Sequence, residues 1–193
     1  MNKKIIILLI SIMSILIVCF FLATRMIKYN SIKYTVKTYL NEKYENRYLD
    51  FLDIGKINHS SMYRLEYMDE DSNKFPVVFE NDEIRESYIN ILAEHLLNDY
   101  INDYVNNKLV IDSEFFVSNA TACYQSGYSL KDLFDIEFDL VVSGGYMSES
   151  FYVELVNKIL DDLSSEMDLK GVHSVYYADG NIYKYTFDKK QFD

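Results

Sequence analysis

An apolar run near the N-terminus constrains this 193-residue chain more than any other feature. Residues 5–23 contain no charged side chain, and only two serines and one cysteine interrupt the apolar residues. Two lysines precede the run, and Arg25 and Lys28 follow it. A helix crosses the roughly 30 Å hydrocarbon core of a bilayer with about 17 to 25 apolar residues. The sequence therefore predicts a short leader and a transmembrane anchor over residues 1–28, attached to the membrane through residues 5–23.

The alternative to a retained anchor is a cleaved secretory signal peptide. Such a peptide has an apolar region of only about 7 to 15 residues, followed by a small-x-small cleavage site. The run here is longer, and Phe21 stands where cleavage after Ala23 would require a small residue. We therefore interpret the run as a signal anchor that stays in a single-pass protein.

The charges that flank the anchor do not by themselves decide its orientation. Basic residues usually mark the cytoplasmic side, and here Lys3 and Lys4 oppose four basic residues within 25–37. Large C-terminal domains are translocated largely regardless of their charge, so we favour a cytoplasmic N-terminus. The expected localisation is the cell membrane, with the C-terminal domain on the extracytoplasmic side.

Residues 29–193 form a strongly acidic soluble part. The chain has 19 basic and 30 acidic residues, and residues 1–28 hold four of the basic and none of the acidic ones. The remainder therefore has a formal net charge of −15, from 15 basic and 30 acidic side chains. This charge argues against binding of nucleic acid and of anionic lipid headgroups. It favours a cationic partner, although solubility alone also explains an acidic surface.

The soluble part is predicted to be an α+β domain in which helices pack on an antiparallel sheet. Short tyrosine-rich runs over residues 49–80, separated by polar turns, predict an antiparallel meander. Residues 82–106 and 148–166 have the apolar spacing of helices, and residues 136–142 alternate as a half-buried strand. An Asp-Gly pair at 179–180, between two strand-like runs, predicts a closing hairpin.

The anchor is predicted to continue into the soluble part as an amphipathic helix. Ile32, Val36 and Leu40 recur at helical spacing, and the helix is expected to end near Tyr48. A break at residues 30–31 is the alternative to a continuous helix. The domain is held close to the membrane in the first case and can swivel in the second.

The number of modules in the soluble part stays open at this point. Residues 29–193 are long enough for one domain or for two smaller modules, at about 29–107 and 108–193. The helix over 82–106 is expected to pack across the strands that precede it. Residues 109–127 lack clear periodicity, apart from a short strand at 114–118.

The six residues Tyr39–Tyr44, with the pattern Tyr-Leu-x-Glu-Lys-Tyr, follow shortly after the anchor. This pattern resembles one in small uncharacterised membrane-anchored exported proteins of Gram-positive bacteria. An abundance of Lys, Asn, Ile and Tyr and a soluble part with only one cysteine, Cys123, fit the same source. The resemblance implies a location and supplies no activity and no catalytic residues.

The most specific motif is a calcium-loop spacing. Positions 1, 3, 5 and 12 of such a loop carry oxygen ligands, and four residues have that spacing: Asp69, Asp71, Asn73 and Glu80. Lys74 stands where glycine normally makes the sharp turn, and the residues before Glu80 are typical of a strand. A solvated polar turn is the alternative, and we expect no cofactor other than this calcium.

Evidence for catalysis in the sequence is weak. His95 and Asp99 lie one helical turn apart, with Asn102 close by, but a zinc site needs three or four ligands. His59 and His173 lie in segments whose proximity the sequence does not establish. Acidic pairs such as Asp161 and Asp162 suit glycosidase chemistry, but 30 acids make such pairs uninformative.

The leading hypothesis is therefore a non-enzymatic binding module at the cell envelope. Its partner is expected to be an envelope protein or a basic peptide, and nucleic acid is not expected. A membrane-anchored envelope hydrolase is the first alternative, and a calcium-responsive binding module is the second.

Overall fold

The computed structural model describes residues 3–45, 47–58, 60–108, 113–124, 127–145, 147–178 and 181–188. The chain divides into two compact units, Met1–Glu86 and Ser87–Asp193. The boundary lies before the long helix over residues 88–108, whereas the two-module alternative from the sequence places it after residue 107. The architecture is α+β, as the sequence predicts, with an N-terminal helix that is long and apolar enough to cross a membrane.

Helix α1 spans Lys3–Lys43 without interruption. This stretch contains neither glycine nor proline, so nothing in it breaks the backbone hydrogen bonding, and no break occurs at residues 30–31. Its side chains from residue 10 to residue 28 are exposed. Further along, every fourth residue is buried: Ile32, Val36, Leu40 and Tyr44. The first half of this helix is thus an exposed apolar segment, and its second half forms part of a protein core. The helix ends at Lys43, a few residues before the predicted end near Tyr48.

The first unit contains one antiparallel meander; its first three strands lie within the predicted residues 49–80, but its fourth lies in residues predicted to be helical. Its strands are β1 (Leu49–Lys56), β2 (Tyr63–Asp69), β3 (Lys74–Glu80) and β4 (Glu83–Glu86), and they pair in sequence order. Alternate residues of β2 are buried, and the C-terminal half of α1 packs on β1 and β3. Leu65, Phe75 and Val77 are fully buried, together with the buried side of α1. Burial of each such side chain contributes about 1.5–3 kcal/mol to the stability of the fold.

The second unit contains a mixed four-stranded sheet with two helices. The elements are α2 (Tyr88–Lys108), β5 (Glu114–Tyr124), β6 (Leu133–Ser143), α3 (Glu149–Glu166), β7 (Leu169–Ala178) and β8 (Asn181–Asp188). The strand order is β5-β6-β7-β8, and β6 and β7 are parallel because α3 makes the crossover between them. Ser148 caps α3 by accepting a hydrogen bond from the backbone N–H of Phe151. The sheet of this unit is therefore antiparallel except at the β6–β7 pair.

Two other expectations are corrected in the second unit. Helix α2 packs on β5, which follows it in the chain, whereas the expectation from the sequence was packing on the strands that precede it. Strand β5 continues to Tyr124, well beyond the predicted end at residue 118, through an irregularity where Asn119 has φ +52°. The predicted closing hairpin is confirmed by the pairing of Ala178 with Asn181, although its turn, residues 179–180, lies outside the described residues.

Candidate functional site

The structure separates the four residues of the predicted calcium loop. Asp69, Asp71 and Asn73 lie together in the turn between β2 and β3, where the Asp69 carboxylate accepts hydrogen bonds from both other backbone N–H groups. Glu80 lies at the opposite end of β3, about 20 Å along a seven-residue strand. It binds Arg85 there. The twelve-residue loop is therefore not formed, because its second half is an extended strand.

An arginine supplies the cation for this acidic turn. The Arg47 guanidinium is 3.5 Å from Asp69 Oδ2 and 2.9 Å from Asp71 Oδ2, and it also binds the Glu70 carboxylate. The Asp69 side chain is fully buried, and only 9% of the Arg47 side chain is exposed. The turn is thus a structural ion-pair network.

The two described histidines, His95 and His173, do not form a metal site. His95, Asp99 and Asn102 lie on the exposed side of α2, as predicted. His173 lies on β7 beside Thr186 and Glu137, and His59 lies outside the described residues. In the described part of the chain, no three His, Cys, Asp or Glu residues are close enough to hold a metal ion.

The two units differ sharply in charge. Met1–Glu86 contains 12 basic and 12 acidic residues and has no formal net charge. Ser87–Asp193 contains the other 7 basic and 18 acidic residues, so the whole chain's net charge of −11 belongs to the second unit. A surface that selects a cationic partner by charge is therefore to be sought in the second unit.

An acidic pocket lies between α2 and α3 of the second unit. It has a volume of about 320 Å³ and is lined by Tyr100, Asp103, Tyr104 and Asn107 from α2 and by Glu166 at the end of α3. The α2 residues follow the spacing i, i+3, i+4 and i+7, which places them on one side of the helix. Asp103, Asn107 and Glu166 are exposed, whereas Tyr104 is buried. Among the residues whose side chains the structure describes, no basic one lines the pocket.

Both tyrosine hydroxyls of the pocket are held in their neutral form beside carboxylates. Burial and then interaction with Asp162 raise the pKa of Tyr104 to about 12. Burial, the charges of Glu166 and Asp162, and a hydrogen bond to Glu166 raise the pKa of Tyr100. The protonated hydroxyls add no negative charge of their own, so the charge of the pocket belongs to its carboxylates, Asp103 and Glu166.

This arrangement suits an organic cation. Carboxylates form charge-assisted hydrogen bonds with guanidinium and ammonium groups, and a tyrosine ring attracts a cation over its face. The volume lies at the lower end of the range of about 300–1,000 Å³ for small-molecule sites and accommodates one or two basic side chains.

Sequence reasoning missed this pocket. It assigned Tyr100 and Tyr104 to the apolar face of the helix, and it considered Asp161 and Asp162 only as a catalytic pair. The available signal was the alternation of tyrosine with Asp103 and Asn107 along one side of a helix. The contribution of Glu166 depends on how α3 packs and is not visible in the local sequence.

No protein-family model and no curated protein matches this chain.

Proposed function

We propose that this chain is a single-pass membrane-anchored protein whose second unit binds a basic segment of an envelope protein or a basic peptide. The acidic pocket between α2 and α3 is the observation that carries the proposal. It joins two exposed carboxylates to two tyrosines in the unit that holds the whole net charge of the chain. The role is non-enzymatic, and the pocket holds a cationic side chain without transforming it.

The proposal places residues 29–193 on the extracytoplasmic side. Lys3 and Lys4, which directly precede the apolar run, support a cytoplasmic N-terminus, and so does the size of the C-terminal part. The partner is then a protein or peptide that reaches the outer surface of the membrane. An accessory or immunity role fits a protein of this design.

A peptide-binding titration with charge-matched variants tests the pocket. The probe is a fluorescent tetra-arginine peptide, and full-length protein in detergent micelles is titrated while anisotropy is recorded. Replacing Asp103 with Asn and Glu166 with Gln removes two charge-assisted hydrogen bonds, so we expect Kd to rise at least about tenfold.

The matched control removes two charges from the same helices outside the pocket. Glu94→Gln with Glu154→Gln changes the net charge of the second unit by the same amount. We expect a much smaller rise in Kd for this pair, because it alters only the long-range field. Equal weakening by both double variants would show nonspecific attraction and would refute the assignment to the pocket.

A further inference from the structure

A second pocket of opposite charge lies in the first unit, between α1 and the loop that joins β1 to β2. It has a volume of about 660 Å³. Its α1 side is lined by Phe21, Thr24, Arg25, Lys28 and Tyr29, and its other side by Lys56, Ile57, Asn58 and Tyr63. Three of these nine residues are cationic and none is acidic. This basic pocket is local, because the unit around it has no net charge.

The pocket lies at the depth of the lipid headgroups if α1 spans the bilayer with its apolar run. That run ends at Ala23, and a helix rises about 1.5 Å per residue. Arg25 and Lys28 are then about 3 and 7.5 Å beyond the hydrocarbon boundary. The headgroup layer is about 5–7 Å thick on each side. Phe21 lies at the hydrocarbon edge, so the pocket extends from the acyl chains into the headgroups.

Aromatic rings hold the cations of α1 in place. Arg25 donates two hydrogen bonds to the Tyr29 hydroxyl, at 3.0 Å from Nε and 2.7 Å from Nη2. Lys28 Nζ lies 5.2 Å from the centre of the Tyr63 ring, and the Tyr29 and Tyr63 rings meet edge to face at 5.7 Å. Tyrosines are enriched at this depth because the ring is apolar and the hydroxyl is polar.

The cations keep hydrogen-bond donors for an anion. A guanidinium has five N–H donors, of which Arg25 uses two on Tyr29, and an ammonium group has three. The described contact of Lys28 is with the face of the Tyr63 ring, and Lys56 lines the other side of the pocket from the last position of β1. Glu80, a carboxylate that contacts Ser61 in the same loop, is engaged by Arg85. Three cations around one cavity match the charge and the acceptor oxygens of a phosphate.

We propose that this pocket binds the phosphate of an anionic phospholipid headgroup. The net negative charge of such a lipid matches three cations, whereas the choline of a zwitterionic lipid offsets its own phosphate. A lipid bound in the pocket holds the β1–β2 loop against α1 at the membrane surface. Composition alone predicts that the soluble part repels anionic lipids, but 11 of the 15 net negative charges of residues 29–193 belong to the other unit.

Spin-labelled lipids test the site in the full chain. The protein is reconstituted in phosphatidylcholine bilayers that contain trace spin-labelled phosphatidylglycerol or phosphatidylcholine, and the motionally restricted fraction gives their relative association constants. We expect the wild type to prefer phosphatidylglycerol. Lys28→Gln and Lys56→Gln should each reduce that preference by about fivefold, because one lysine near the surface attracts anionic lipid by about 1 kcal/mol.

Lys37→Gln is the matched control. It removes one positive charge from the same helix, further from the membrane and outside the pocket, and should leave the preference unchanged. A loss of preference equal to that of Lys56→Gln would overturn the proposal, and so would a wild type without preference. Displacement of the labelled phosphatidylglycerol by excess inorganic phosphate would identify a free-phosphate site and refute the lipid assignment. These outcomes are independent of peptide binding by the second unit.

Discussion

Replacing Arg47 with methionine should destabilise the first unit strongly. The guanidinium is the cation that faces the fully buried Asp69 carboxylate, and the substitution removes that charge while keeping most of the side-chain volume. Removing one partner of a buried ion pair typically costs about 3–5 kcal/mol. Asp69 retains hydrogen bonds from the Asp71 and Asn73 amides, at 3.0 and 2.8 Å, so the cost should lie near the lower limit. The contacts with Glu70 and Asp71 add little, because those side chains are 49% and 62% exposed.

The assay is thermal unfolding of the full-length protein in detergent, followed by circular dichroism. A loss of about 3 kcal/mol should lower the Tm of the chain by about 6–12 °C, the shift for a cooperative unfolding unit of this chain's length. Arg64→Met is the matched control, since Arg64 is 56% exposed and its ion pair with Glu66 should be worth under about 1 kcal/mol. The double variant Arg47→Met with Asp69→Asn should recover part of the loss, because no charge then remains buried at this place.

Equal shifts in Tm for Arg47→Met and Arg64→Met would refute this reasoning. Calcium provides a second check on the same turn. Because Arg47 already compensates the carboxylates, about 1 mM calcium, within the range of extracellular calcium modules, should leave the wild-type Tm unchanged. A rise in Tm that Asp71→Ala abolishes would instead restore the calcium-responsive module.

Two further predictions concern a buried tyrosine and the topology. The Tyr67 hydroxyl is buried without a hydrogen-bond partner among the described residues, so Tyr67→Phe should raise Tm by about 2–4 °C at pH 7. Burial raises the pKa of Tyr67 to about 12 from 10.0, so the folded state binds more protons above pH 10. Stability should therefore fall by up to about 1 kcal/mol per pH unit between pH 10 and 12, and Tyr67→Phe should remove that part of the loss in alkaline melts. Protease treatment of intact cells should remove a C-terminal tag from the full-length protein, with a cytoplasmic protein as control; protection until lysis would reverse the proposed orientation.

The sequence correctly predicted those helices and strands that show their own residue periodicity. The spacing of Ile32, Val36 and Leu40 predicted the buried stripe of α1, and the tyrosine-rich runs predicted the meander, because each element repeats its own period. The sequence predicted that strand β5 ends at residue 118, because Asn119 and the small residues after it have low strand propensity. Pairing with β6 overrides that propensity in the structure.

Predicting the candidate sites requires knowing which residues that are distant in the chain lie close together in the fold. A calcium-loop spacing counts residues along the chain, but in an extended strand those residues lie far apart, which is why Glu80 never reaches Asp69. Helix α2 could have packed on either sheet, since an apolar face does not specify its partner. Both pockets are completed from a second element, by Glu166 in one and by Lys56 in the other.

If α1 spans a bilayer, its continuity fixes the orientation of the first unit relative to the membrane. A helix of 41 residues is about 60 Å long, so roughly half of it lies outside the hydrocarbon core. A span that is too long or too short for its membrane adjusts by tilting. No hinge separates the span from the stripe that packs on the meander, so each degree of tilt rotates β1–β4 by the same amount. Bilayer thickness thereby sets the angle at which this sheet faces its surroundings.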